Sequence, residues 1–133
     1  MEDTGRTQGR GTRPRAPKPT FAERHGRRAQ VEDVAEVLDA AARFLEARPR
    51  SVHEVRYKLT TMGYRAALVD EVVVRLTDLG YLDDEAFTRA WVESRDRARP
   101  RGEHALRREL QLKGVDAALV AEVLAQRRDE ARA

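Results

Sequence analysis

The 133-residue chain is 41% hydrophobic, only 5% aromatic and 37% charged, which suits one compact domain or a short repeat array whose core rests on Leu, Val and Ala. Its lack of cysteine excludes disulfides, thiolate zinc sites and thiol nucleophiles, and fits a reducing cytosol. No segment approaches the roughly 18 apolar residues of a membrane span and none near the start resembles a signal peptide, so the sequence reads as a soluble, cytoplasmic protein with no membrane contact.

The net charge of +3 is unevenly spread. Residues 1–30 hold eight basic side chains against three acids, a net of +5, so the remaining residues sum to −2. This first segment is rich in Gly, Pro, Thr and Arg, with Phe21 its one large apolar residue. Such a composition cannot bury enough surface to offset its ordering entropy, and the expectation is a disordered basic arm over 1–30. It serves either as a phosphate-contacting arm or as a solubilising leader.

From Val31 onward the apolar period is helical. Val34, Leu38, Ala41 and Leu45 form a stripe flanked by Val37 and Phe44, and Pro49 stops that helix. Ser51 opens the next one with Glu54 three residues on, the spacing of a capping box. Val52, Val55, Leu59 and Met62 mark its buried face, and Gly63 followed by Tyr64 marks a left-handed helix end. A third helix carries Leu68, Val69, Val72, Val73, Leu76 and Leu79 and closes at Gly80.

The pattern then restarts at an offset of 51 residues. Ala47-Arg48-Pro49-Arg50 falls on Ala98-Arg99-Pro100-Arg101, His53 on His104, Leu59 on Leu110, Gly63 on Gly114, and Ala66 to Val69 on Ala117 to Val120. Glycine and proline in register with the apolar positions define an internal repeat. The expectation is an all-α fold of six helices in two tandem three-helix repeats, 31–80 and 81–133, each burying too little surface to stand alone.

Several residues invite a chemical reading. Asp83, Asp84 and Glu85 open a helix, where acids cap and complement the dipole; no histidine nearby completes a metal site. His53 and His104 share one slot near a helix start, with no partner arranged for catalysis. Phe87 and Trp91, one turn apart, read as core rather than as base-stacking residues. No catalytic residue, metal site or cofactor is expected. The basic side chains carry more. Arg89, Arg95, Arg97, Arg99, Arg101, Arg107 and Arg108 lie in a 20-residue stretch with only three acids, and Arg48, Arg50, Arg56 and Lys58 form the related cluster of the first repeat. Arginine-rich breaks between helices are suited to gripping phosphate or an acidic protein surface, against the plainer reading of a solvated face. A helix-turn-helix DNA reader and a helical protein-interaction scaffold are the alternatives. The acids Asp70, Glu71, Asp78 and Glu122 on the third helices weigh against a recognition helix.

The segment Gly80-Tyr81-Leu82-Asp83-Asp84-Glu85-Ala86-Phe87-Thr88-Arg89-Ala90-Trp91-Val92 closely resembles the signature segment of the RecX family. Arg48-Pro49-Arg50-Ser51 with Glu54 and Leu59, and Leu106, Leu110 and Lys113-Gly114-Val115, fit the same pattern. The resemblance covers roughly 38–125. It implies a non-enzymatic, monomeric regulator that binds in the groove of the RecA–DNA filament and restrains recombinase activity in DNA repair and the SOS response. The family usually has three such repeats; this chain reaches Ala133 just after the second.

Overall fold

The computed structural model describes residues 16–132, and among them the secondary structure is entirely helical. In chain order the helices are α1 (Phe21–Ala29), α2 (Val34–Ala47), α3 (Val52–Met62), α4 (Ala66–Asp78), α5 (Asp84–Ala98), α6 (Glu103–Leu112) and α7 (Ala117–Arg132). Helices α2 and α3 pack on α4 to form the first unit, and α5 and α6 pack on α7 to form the second.

The caps follow the residues that signal them. Asp33 accepts from the Ala35 N–H to start α2, and Asp83 accepts from the Glu85 and Ala86 N–H groups to start α5. Ser51 and Glu54 form the full capping box of α3, satisfying donors that the first turn leaves without helical partners. Both Arg-Pro breaks hold their arginine in extended backbone, Arg48 after α2 and Arg99 after α5, as a following proline demands. Gly63, Gly80 and Gly114 all have positive φ. After Gly63 the Tyr64 N–H donates to the Leu59 carbonyl, and after Gly114 the Val115 N–H donates to Leu110, the same helix end at the offset of 51.

The two cores repeat the offset as well. Val55, Leu59, Tyr64, Val69, Val72 and Val73 are buried in the first unit; Leu106, Leu110, Val115, Val120, Val123 and Leu124 are buried in the second. On α2 the deepest positions are Val37, Ala40 and Ala41, with Val34, Leu38 and Leu45 only half-buried. The stripe read from sequence is therefore rotated by part of a turn. Leu79, expected inside, is 69% exposed because α4 has ended before it reaches the core.

The first segment departs from expectation. Residues 21–29, read as part of a disordered arm, form α1, the helix beyond the six expected; residues 1–15 lie outside the described ones. Thr20 caps α1 by accepting from the Glu23 N–H. The helix buries no residue and is held by polar contacts instead. Arg28 donates to the Met62 carbonyl at 3.3 Å, Arg27 pairs with Glu36 at 3.0 Å, and His25 lies against the Gly63 turn. A Cβ on Gly63 would come within 2.7 Å of the His25 carbonyl oxygen. Composition missed this helix because its stability comes from docking and not from an apolar face.

The same contact recurs between the units. A Cβ built on Gly114 would overlap His53, so α3 sits on the second glycine turn as α1 sits on the first. Around that contact the Ser51 hydroxyl donates to the Lys113 carbonyl at 2.5 Å, the Val52 N–H donates to Asp84 at 2.9 Å, and Lys113 pairs with Glu54 at 3.4 Å. Ser51 is fully buried. These polar contacts fix how the second unit meets the first.

Candidate functional site

The eleven basic residues singled out in the sequence do not form one uniform surface. Six are neutralised by carboxylates: Arg48 by Glu54 at 2.8 Å, Arg56 by Asp70, Arg89 by Glu85 at 3.3 Å, Arg95 and Arg101 by Glu109 at 3.3 and 3.5 Å, and Arg107 by Glu103 at 3.7 Å. Arg89 also donates to Gln126, and Arg108 contacts His104 at 2.8 Å. These bonds tie adjacent helices or turns together, and exposed pairs of this kind contribute only about 0–1 kcal/mol each.

Five of the set have no carboxylate partner among the described residues: Arg108, which contacts only His104, and Arg50, Lys58, Arg97 and Arg99. Arg50 lies 3.9 Å from the Phe44 ring centroid and donates to the Phe44 carbonyl, while Lys58 lies 5.6 Å from the same ring. Burial, followed by the charge of Arg48, lowers the Arg50 pKa from its ordinary value. Arg97 and Arg99 stand exposed at the end of α5, beside the second Arg-Pro break. A free guanidinium retains all its donors for a bidentate phosphate or carboxylate contact, which a paired one has already committed.

The junction chemistry is separate from this set. Burial is the largest influence on Glu54 and pushes its carboxyl up. Hydrogen bonds from Arg48 and the Ser51 N–H, with the charges of Arg48 and Lys113, outweigh it and hold the pKa below the usual carboxylate range. Sequence reading found Glu54 as a cap but not as the link between units, because Lys113 lies 59 positions away.

The other singled-out residues are placed as follows. Asp83 is a cap, and Asp84 caps α3 from across the junction. His53 is a packing residue at the junction. Phe87 is buried, and Trp91 is partly buried and packs against the same core, as the reading of both as core residues expects. Its indole N–H donates to Glu109 at 2.9 Å, with Arg95 and Lys113 at 4.7 and 4.8 Å from the ring. On α4, Glu71 engages Arg75 and Asp70 engages Arg56, so that helix offers a mixed-charge face. Among the described residues no cluster of three or more His, Cys, Asp or Glu is arranged to hold a metal, and no helix is long and apolar enough to cross a membrane.

Two tandem three-helix units joined through a glycine turn, with arginine-marked breaks between their first two helices, define a small class of helical-repeat protein. Family models place it: the first three-helix domain of RecX matches residues 38–76 and the second matches 83–124. The chain belongs to the RecX family. It is 43% identical over 83 residues to the regulatory protein RecX of Mycobacterium sp. (strain KMS), covering 62% of this chain and 45% of that protein. It is 36% identical over 92 residues to RecX of Chlorobium phaeobacteroides (strain BS1), covering 69% of this chain and 61% of that one. The crystal structure of RecX from Lactobacillus salivarius superposes with a TM-score of 0.67 at 22% identity, over 70% of this chain and 60% of the other. The chain thus spans about half the length of the Mycobacterium relative.

Proposed function

We infer that this chain regulates the RecA recombinase, binding the RecA–DNA filament in the cytoplasm and restraining its activity in recombination and DNA repair. Membership of the RecX family supports the partner. The observation that carries the mode of binding is the group of basic side chains left without carboxylates, above all Arg97 and Arg99 at the second helix break. They act by charge on phosphate and on acidic protein surface, so binding depends on salt and is indifferent to base sequence. The paired arginines Arg48, Arg56, Arg89, Arg95, Arg101 and Arg107, with Arg108, serve chiefly to hold the helices that present the free ones.

The test is fluorescence anisotropy on RecA-coated and bare single-stranded DNA at several salt concentrations. Replacing Arg97 and Arg99 with Ala weakens binding and lowers the salt slope by about one unit for each phosphate no longer engaged, with the helical circular dichroism intact. Arg75→Ala, on α4, has little effect. A double variant that binds as the parent does on both substrates refutes the arginine-break reading.

A further inference from the structure

The first Arg-Pro break lies against α5 of the second unit and builds a groove that neither unit contains alone. Its floor is Pro49, Phe87, Ala90 and Trp91, its rim is Arg48 and Arg97, and its volume is about 330 Å³. A second hollow shares Pro49, Phe87 and Ala90 and extends the strip to Tyr81 and Arg50. Tyr81 is 69% exposed and leads on to a third hollow walled by Leu45 and Leu76. The result is a continuous apolar strip with guanidinium groups along it. Two carboxylates border it: Asp83, whose side chain is already committed to capping α5, and Glu46.

We propose that this strip is the docking site for an acidic amphipathic protein segment, whose aliphatic side chains enter the Pro49–Trp91 floor while its carboxylates meet Arg50 and Arg97. Apolar floor and basic rim are complementary to that chemistry and to few others. A single-stranded nucleic acid would need an open aromatic face for its bases. Here the Trp91 ring already carries Arg95 and Lys113, and its N–H is donated to Glu109. Tyr81 is the one exposed ring of the strip, and between it and Trp91 the floor is Pro49 and Ala90, which give successive bases nothing to stack on. The assignment deepens the regulatory reading and rests on it for the identity of the partner, but the chemistry of the groove is tested without that partner.

Trp91 is the one tryptophan of the chain, so its emission reports on the groove directly. The probe is a fluorescein-labelled helical peptide with leucines on one face and glutamates elsewhere, compared with the same peptide carrying lysines and with oligo-dT. The glutamate peptide binds and shifts Trp91 emission. Arg97→Glu weakens it by about tenfold and turns the preference toward the lysine peptide. Ala90→Phe fills the floor from an exposed position and abolishes the emission shift, with circular dichroism confirming that both variants fold. No binding by the glutamate peptide overturns the proposal, as does binding indifferent to both substitutions. Oligo-dT that shifts Trp91 emission and loses this effect in Ala90→Phe assigns the strip to nucleic acid and also overturns it. Failure here leaves the filament anisotropy result intact, so the two readings fall separately.

Discussion

Replacing Gly114 with alanine separates a local backbone cost from the cost of parting the two units. Gly80 and Gly114 both have positive φ, 84° and 75°, so alanine is strained at either position. That strain is on the order of 1–2 kcal/mol. A Cβ on Gly80 meets nothing within 4 Å, whereas one on Gly114 overlaps the Cβ and Cγ of His53. A Cβ–Cβ overlap has no rotamer solution, because neither atom moves without its backbone. The junction must open, and with it go the Ser51–Lys113 and Val52–Asp84 hydrogen bonds, each worth about 1 kcal/mol net. Gly114→Ala therefore destabilises by roughly 3–4 kcal/mol and Gly80→Ala by about 1–2 kcal/mol. Urea denaturation followed by circular dichroism measures both. A His53→Gly change in the Gly114→Ala background recovers part of the difference, read as a coupling in the double-mutant cycle. Equal losses from the two glycine substitutions refute the claim that the second turn is a docking surface.

Three further outcomes follow from the same contacts. Trp91→Ala costs about 1–3 kcal/mol in the same denaturation assay, below the range for a fully buried ring, and a loss of about 5 kcal/mol, the top of that range, contradicts its half-buried placement. The Glu54 carboxyl is held low in the folded state, so its stabilising contribution is complete above the unfolded value of about 4.3 and is lost as pH falls through the folded one. Thermal melts between about pH 5 and pH 3 accordingly show a smaller acid-induced loss in Glu54→Gln than in the parent, and parallel curves refute the assignment. Leu59→Ala and Leu110→Ala occupy matching, fully buried sites and each cost about 2–5 kcal/mol, with a negligible loss at either site counting against two equivalent cores.

The repeat was legible because it is written in residues with few structural options. Proline at 49 and 100, glycine at 63 and 114, and leucine at 59 and 110 hold the same places in both units, and each type restricts backbone or burial whatever its neighbours do. Helix α1 was not legible, since His25, Arg27 and Arg28 gain their partners 9 to 38 positions away. The site was half legible. Sequence density marked the arginines, but whether each was free depended on carboxylates brought in by folding, such as Asp70 against Arg56 and Glu109 against Arg95 and Arg101. The groove was hidden for a related reason. Pro49 and Ala90 belong to different units, and only their docking places both on one floor.

The regulatory reading meets its most direct test in the ATPase of RecA on single-stranded DNA as this protein is titrated in. The predicted result is a saturable fall in the rate, with the Arg97→Ala and Arg99→Ala double variant needing a higher concentration for the same fall. A rate unchanged by the parent protein at concentrations above that of RecA contradicts it.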